Sequence, residues 1–292
     1  MITLAYVRAL TYLFETLRHH GTNFSVEFWS IIANNIIFTI FKELDNPKVN
    51  SKEEASVWTL TTLVQALRYL VELFGDRYDQ AQFMMKGILD ILKTCLLQSN
   101  ETLSRIGATC FQQIIETNLK RFDSNSWDLI CDTMEQLVNE TIPHEIFFDL
   151  SDGKNGPNPV SSTGRCLRPR PLKKDFERII SVCVQHLLVI QTLSDILNSG
   201  TDFAVYQSLE LKHLYKFLEF FEKSFLFAKE FNENLQIRNS LFQMGFMKNL
   251  PNLLKQETSS VSVYLGLLNR MYSDKDEARS ALKDTIEHKM VP

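Results

Sequence analysis

Residues 51–75 read SKEEASVWTLTTLVQALRYLVELFG, and this stretch sets the expectation for the whole chain. Its apolar residues recur every three or four positions, which is the period of one face of an α-helix. Ser51 and Glu54 have the spacing of a capping box that begins a helix, and Gly75 is a typical helix stop. The predicted buried face consists of Leu60, Leu63, Val64, Leu67, Leu70, Val71 and Phe74.

The same period recurs along almost the whole sequence, and short turns separate the predicted helices. Successive helix starts lie about 21 to 28 residues apart, so a helix pair occupies about 40 to 50 residues, the range of HEAT and armadillo repeats. Helices joined by such short turns must pack against their neighbours. We therefore predict an all-α protein built as an α-solenoid of antiparallel helix pairs.

Two stretches of the chain resemble each other at a constant offset of 98 residues. NFSVEFWSIIANNII (23–37) aligns with RFDSNSWDLICDTME (121–135), which places Trp29 on Trp127. Such a recurring helix–turn–helix unit is what a helical solenoid requires. Both tryptophans are predicted to pack in the core. The predicted helix caps of the two stretches are Ser25 and Ser124.

Composition excludes several classes of function. The balance of 31 basic and 35 acidic residues leaves the chain near neutral, which disfavours nucleic-acid binding by bulk electrostatics. The five cysteines are scattered without CxxC spacing, so we expect buried free thiols and no metal site. No uncharged apolar stretch reaches about 18 residues, so no transmembrane helix is predicted.

Residues 149–175 are predicted to be a flexible linker, because they hold three Gly, four Pro and four Ser or Thr without periodicity. The linker would separate helical repeats in 1–148 from helical repeats in 176–292. Two interpretations of its basic half stay open: a solvated linker without function, or a contact with an anionic membrane or a partner. The basic residues are Arg165, Arg168, Arg170, Lys173 and Lys174.

The sequence carries no recognisable catalytic or cofactor motif: it lacks GxxxxGK[ST], GxGxxG, GxSxG and HExxH. We therefore predict no catalytic, cofactor-binding or metal-binding residue and no small-molecule substrate. The phenylalanines of residues 217–231 follow helical spacing for the most part. They form either a core face or a groove or dimer seam.

FMKNLPNLLKQET, residues 246–258, is predicted to be the corner between two helices. Gly245 and Asn249 loosen the end of the first helix, and Pro251 forbids its continuation because proline cannot continue a helix. Asn252 is the candidate N-cap of the next helix, and a later start of that helix stays open. Leu253 and Leu254 would then pin the corner to the core. Two interpretations of Lys255, Gln256 and Glu257 stay open: they hydrogen-bond the turn, or they face a partner.

The run FAKEFNENLQIRNSLFQMGFMKNLPNLLKQET, residues 227–258, also carries a family resemblance. It resembles a region of the large Arf guanine-nucleotide exchange factors, the brefeldin-A-inhibited family with its fungal counterpart, the Sec-seven protein. QSNETLSRIG and the sequence following it, residues 98–146, resemble a second region of the same family. Asn-rich turns lean towards a fungal member. The motif positions, which the resemblance implies are mainly structural, are Phe227, Lys229, Phe231, Asn232, Arg238, Gly245, Phe246, Pro251, Asn252, Lys255, Gln256 and Glu257.

The resemblance spans about Ala9 to Tyr272 and implies the third and fourth homology regions downstream of the catalytic domain, with the fourth truncated. It implies a non-catalytic segment of an exchange factor that acts in vesicle trafficking. The implied partners are Arf and Rab GTPases, other regions of the same protein, a second copy of the chain and the trans-Golgi membrane. The implied location is the cytoplasm, with peripheral attachment to Golgi membranes.

A second interpretation is a stand-alone helical-repeat scaffold or trafficking adaptor, whose parent protein has no exchange activity. The sequence upstream of Met1 discriminates the two, because only the first requires an exchange-factor catalytic domain there.

Overall fold

The computed structural model describes residues 2–42, 54–148, 173–200, 203–243, 245 and 247–274. The regular structure within these ranges is helical, without strands, which confirms the predicted all-α class. Stacking of antiparallel pairs into a HEAT-like or armadillo-like solenoid remains a prediction. The α-helices are α1 (Ile2–His20), α2 (Val26–Ile32), α3 (Phe38–Ile40), α4 (Glu54–Asp76), α5 (Tyr78–Ala81), α6 (Met85–Leu96), α7 (Glu101–Asn118), α8 (Ser124–Thr141), α9 (Glu145–Phe148), α10 (Lys173–Asn198), α11 (Ala204–Ser208), α12 (Leu211–Glu233), α13 (Leu235–Gln243) and α14 (Leu254–Tyr272).

The apolar face predicted from residues 51–75 is the buried face of α4. Its central members are at most 3% exposed, while Leu60 and Val64 at its edge are half-buried. The helix runs one residue past Gly75, and the predicted cap Ser51 lies outside the described residues. The buried members are Leu63, Leu67, Leu70, Val71 and Phe74.

The similar stretches at 23–37 and 121–135 form similar corners. Both tryptophans are buried, as predicted, and each packs at a steep angle against a phenylalanine from its own turn. The ring centroids of Phe24 and Trp29 lie 5.6 Å apart, and those of Phe122 and Trp127 lie 5.5 Å apart. The two aromatic pairs therefore perform the same packing role.

The two helix caps lie at equivalent positions of the aligned stretches, 98 residues apart, which the predicted pair did not. Ser25 caps α2 as expected, since its Oγ accepts the backbone N–H of Phe28 at 3.2 Å. The cap of α8 is Asp123 rather than Ser124, because the Asp123 carboxylate accepts the backbone N–H of Ser126 at 2.8 Å. A carboxylate also suits the positive end of the helix dipole.

The chain divides into two compact units, and each is described by itself. Unit 1 comprises Met1–Leu137 and Gln191–Leu214, and unit 2 comprises Val138–Ile190 and Tyr215–Pro292. In unit 1, α1 packs on α4, α4 packs on α7, and α6 packs on α7. The close approach of α6 and α7 requires Gly107, whose added Cβ would lie 2.8 Å from a side-chain carbon on α6.

Unit 2 has a core built around the aromatic face of α12. Five of its phenylalanines are buried, which confirms the core interpretation for them. Phe227, which departs from the main helical spacing, packs with its ring centroid 5.4 Å from that of Phe147 and 5.6 Å from that of His144. Each buried phenylalanine contributes about 1.5 to 3 kcal/mol. The five are Phe217, Phe220, Phe221, Phe227 and Phe231.

Helix α10 begins at Lys173, so the last three residues of the predicted linker are helical and the rest lie outside the described residues. The proposed division at 149–175 stays a prediction. Within the part of the chain that the structure describes, one segment, Glu177–Asn198, is long and apolar enough to cross a membrane by length and composition alone. A core helix meets the same criteria, and many side chains of this segment are buried within the protein.

Candidate functional site

The motif that carries the family resemblance forms a hydrogen-bonded corner in unit 2. Arg238 on α13 donates from Nε to the carbonyl oxygen of Pro251 and from Nη1 to that of Asn232, both at 2.7 Å. Asn232 lies in the last turn of α12, where carbonyl groups lack partners within the helix. The guanidinium therefore joins the end of α12 to the loop before α14.

The side chain of Asn232 ties the same corner to the start of α14. Its Oδ1 accepts the backbone N–H of Leu253 at 2.7 Å, and its Nδ2 donates to the carboxylate of Glu257. The predicted N-cap, Asn252, is wrong by one position, because α14 begins at Leu254 and Leu253 occupies the cap position. Asn252 instead accepts the N–H of Leu254 at 3.3 Å, as in a turn.

Two other expectations for this corner have different outcomes. Leu254 is 55% exposed, so the prediction that it pins the corner to the core is wrong. Gln256, two residues further along α14 and so on the other side of the helix, faces the core instead. Gly245 has a φ of +74°, the left-handed region that glycine adopts without strain. Phe246 lies outside the described residues.

A buried polar cluster connects α8, α10, α12 and α14 in unit 2. His186 on α10 lies at its centre, with Nδ1 2.8 Å from the Thr141 hydroxyl and Nε2 2.9 Å from the Ser224 hydroxyl. Ser260 and Gln256 of α14 donate to the oxygen of Ser224 at 2.8 and 3.3 Å. All five side chains are buried.

The directions of these hydrogen bonds assign the protonation of His186. The Ser224 oxygen accepts two hydrogen bonds, so its own proton points to Nε2 of His186, and the imidazole carries its proton on Nδ1. Burial, with a smaller contribution from the nearby His144, lowers the pKa of His186 to about 3. The imidazole is therefore neutral near pH 7 and has no free lone pair to act as a base.

Gln256 extends from the first turn of α14 into the core. Its Nε2 also donates to the backbone oxygen of Ser224 at 3.2 Å. Because a carbonyl oxygen only accepts, this contact fixes the amide orientation. The Oε1 atom of Gln256 is buried and has no hydrogen-bond partner in the part of the chain that is described.

An apolar groove of about 240 Å³ lies beside this corner, entirely within unit 2. One wall is a strip of α10 and the other is the corner itself with Phe231 and Leu241, while Ile146 of α9 also lines the groove. Its volume is smaller than that of most drug-sized ligand sites, so it suits one or two side chains. The α10 wall is Ile179, Ile180, Cys183, Val184 and Leu187; the corner contributes Met247, Pro251, Asn252, Leu253, Lys255 and Gln256.

The α10 wall is an apolar strip that the protein covers only in part. Ile180 is 37% exposed and Val184 is 54% exposed. Residues 180, 183, 184 and 187 have the spacing of one helix face, which adjoins the side of the helix that carries the buried His186. Because these apolar side chains stay partly exposed to solvent, the strip is an open apolar surface.

Charge at the groove comes from a lysine. Lys255 is the one charged residue that lines it, and its ammonium is exposed and has no ion-pair partner among the described residues. The nearby Arg178 is already paired, with Glu145 on α9. The groove therefore combines an apolar interior with a single available positive charge at its edge.

The remaining predicted positions do not extend this site. Lys229 is exposed, with its ammonium 5.9 Å from the ring centroid of Phe225. Arg165, Arg168 and Arg170 lie outside the described residues, as do the side chains of Lys173 and Lys174. These basic residues keep their predicted role only as a proposal.

His213 and Cys183 have structural rather than chemical roles. In unit 1, His213 accepts the N–H of Glu210 on Nδ1, so its Nε2 donates to Asp128 at 2.9 Å. Hydrogen bonds from Lys212 and His213 lower the pKa of that carboxyl group. Burial raises the pKa of Cys183 to about 12, so the thiol beside the groove stays protonated. The residues that the structure describes contain no cluster of three or more metal-ligating side chains.

Sequence reasoning missed the buried cluster and the groove. The available signal was Ser224, a hydroxyl residue in line with the buried phenylalanines of α12. A buried hydroxyl needs a partner, and His186 on the apolar α10 supplies one. The partnership itself joins residues 38 positions apart and has no local sequence pattern.

Comparison with known proteins gives the family. The family model described as the BIG2 C-terminal domain matches residues 184–292. The ADP-ribosylation factor guanine nucleotide-exchange factor sec72 of Schizosaccharomyces pombe is 32% identical over 97% of this chain. SEC7 of Saccharomyces cerevisiae is 27% identical over 94%, and the brefeldin A-inhibited guanine nucleotide-exchange protein 1 of Homo sapiens is 26% identical over 97%.

The chain spans 17%, 18% and 19% of the lengths of these three relatives. No solved structure matches it. The similarity nevertheless runs through nearly the whole chain and includes fungal and animal proteins of one kind. This chain therefore belongs to the family of Sec7 and brefeldin A-inhibited Arf guanine-nucleotide exchange factors, of which it matches a segment.

Proposed function

We propose that this chain is a non-catalytic regulatory and protein-interaction segment of an Arf guanine-nucleotide exchange factor that acts at the trans-Golgi network. The observation that carries the proposal is the match along 97% of the chain to a relative named as such an exchange factor. Because the chain spans 17% of that relative, the exchange activity of the parent protein is part of the proposal.

The segment acts by binding rather than by chemistry. Its partners are Arf and Rab GTPases, other regions of the same protein and a second copy of the chain. Two features of unit 2 support a binding role: an open apolar strip on α10 and a groove held between two hydrogen-bonded networks. A preformed groove loses less entropy when a partner binds, which favours recognition.

Peripheral attachment to the membrane is assigned to the basic residues between 165 and 174. Each Lys or Arg near an anionic membrane surface contributes about 1 kcal/mol of attraction, so five together can hold the segment there. Replacing all five with neutral residues should reduce binding to phosphatidylserine vesicles. Unchanged vesicle binding would show that this stretch only connects the helical regions.

The proposal is tested by deleting from the parent protein the segment that corresponds to the 292 residues of this chain. We expect altered stimulation by Rab GTPases and loss of Golgi localisation of the tagged protein in cells. A deletion that leaves both of these and the exchange rate unchanged would contradict a regulatory role.

A further inference from the structure

We propose that the groove between α10 and the α14 corner is the docking site for an acidic amphipathic helix of a partner protein. One apolar side chain of that helix fills the cavity, and a neighbouring carboxylate pairs with Lys255. This inference names the kind of partner and rests on the proposed binding function.

The small volume of the groove favours one large anchoring side chain over a longer segment of the partner. Its volume is about 240 Å³, and its walls are apolar apart from Asn252, Lys255 and Gln256. Interfaces typically place their strongest contacts where one large side chain enters a pocket that excludes water. The open strip of Ile180 and Val184 extends the apolar surface beyond the cavity, as a helix lying in a groove requires.

The walls are held in place before any partner arrives. Gln256 is bound to Ser224, and Ser224 is bound to His186, so the α14 side is anchored to α12 and α10. On the other side, Arg238 holds the carbonyl of Pro251 at 2.7 Å. Side chains fixed in this way do not need to be ordered on binding, which lowers the entropic cost of association.

The positive charge of Lys255 at the edge of the groove determines that the partner helix must be negatively charged there. Lys255 is exposed and lacks an ion-pair partner in the part of the chain that the structure describes, so it can accept a carboxylate without breaking an existing pair. Complementary charge speeds encounter and suppresses partners of the wrong sign. An acidic helix therefore fits this edge and a basic helix does not.

The test measures binding of two fluorescently labelled helical peptides to the 292-residue chain by anisotropy. Both peptides carry leucines at positions i, i+4 and i+7; the flanking residues are glutamates in one and lysines in the other. We expect the glutamate peptide to bind with one-to-one stoichiometry and the lysine peptide to bind at least about 10-fold more weakly.

Two variants with matched controls locate the site. Val184→Trp fills the groove from an exposed position and should weaken binding of the glutamate peptide at least about 10-fold, whereas Leu265→Trp, on exposed α14 surface that does not line the groove, should not. Lys255→Glu should weaken binding of the glutamate peptide about 5-fold or more and strengthen binding of the lysine peptide. Lys248→Glu should change the affinity of neither peptide by more than about 2-fold. Circular dichroism verifies that each variant is folded.

Several results overturn the proposal. One is no binding of the glutamate peptide at about millimolar concentration, the weak limit of specific recognition. Another is equal loss of binding in Val184→Trp and Leu265→Trp, which indicates non-specific apolar adhesion. A third is loss of phosphatidylserine-vesicle binding in the groove variants with intact peptide binding, which assigns the groove to lipid. Each leaves the deletion experiment of the proposed function to be judged separately, since that experiment removes the whole segment.

Discussion

Lowering the pH is expected to destabilise unit 2 through one buried side chain, His186. The imidazole is fully buried and hydrogen-bonded at both nitrogens, and burial holds its pKa at about 3 in the folded protein. In the unfolded chain the same group has an ordinary pKa of about 6.5. Below about pH 6.5 the unfolded state therefore binds more protons than the folded state, and stability falls as the pH falls towards 3.

The size of this effect follows from the two pKa values. At about pH 5 the histidine is protonated in the unfolded chain and neutral in the folded protein. This pH lies about 1.5 units below the pKa of the unfolded histidine. At about 1.36 kcal/mol per unit, the free energy of unfolding of unit 2 should drop by about 2 kcal/mol between pH 7 and pH 5. Protonation would also place two donors, Nε2–H and the Ser224 hydroxyl, against each other.

Urea unfolding monitored by circular dichroism, with hydrogen exchange of α12 and α14 peptides, measures this change. Tryptophan fluorescence does not report on it, because all three tryptophans lie in unit 1. His186→Gln removes the titrating group and should remove about 2 kcal/mol of the pH dependence, whatever its effect on stability near pH 7. His20→Gln, at the exposed end of α1, is the matched control and should keep the parent's pH dependence.

The destabilising effect of His186 is refuted if unit 2 unfolds at the same urea concentration at pH 7 and at pH 5. It is also refuted if His186→Gln and the parent lose stability in parallel on acidification. Either result would mean that the buried cluster accepts a proton without loss of folding stability, contrary to the assigned hydrogen bonds.

Three further predictions concern the corners and caps, and five substitutions test them by urea unfolding. Arg238→Met should destabilise unit 2 by about 2 to 3 kcal/mol, since two hydrogen bonds from a charged donor are lost; Lys223→Met, which breaks one exposed ion pair, should cost under about 1 kcal/mol. Equal losses in these two would argue against the corner's role. Gly21→Ala should cost unit 1 about 1 to 3 kcal/mol, because the added Cβ would lie 2.5 Å from the adjacent buried tryptophan ring; an unchanged fluorescence midpoint would show that the ring yields freely. Asp123→Ala should cost about 0.5 to 2 kcal/mol and Ser124→Ala less than about 0.5 kcal/mol, and the reverse order would contradict the cap assignment.

Helical class and buried faces were predictable because they depend on local spacing. The face of α4 and the two equivalent tryptophans follow from the period of apolar residues alone. The cap of α8 was misplaced by one residue because serine and aspartate are both good caps, and the choice depends on where the chain turns. The constant 98-residue offset from Ser25 to Asp123 contained the correct answer.

The candidate site was predictable in position but not in structure. The corner at 246–258 is where the resemblance is strongest, and the groove lies beside it. Apart from the Glu257 carboxylate that Asn232 contacts, the partners of Asn232 and Arg238 are backbone groups 6 to 21 residues away, and a backbone group carries no sequence signature. The groove itself forms where α9, α10 and the corner meet, so it depends on tertiary packing.

The proposed regulation of an Arf exchange factor by this chain is tested by measuring the exchange rate itself. The initial rate of nucleotide exchange on vesicle-bound Arf is measured for the full-length parent protein and for the same protein without this segment, each with and without an activated Rab GTPase. The account predicts that deletion changes the rate or abolishes its dependence on Rab, although the catalytic domain is intact. Identical rates and identical Rab stimulation in the two proteins would contradict it.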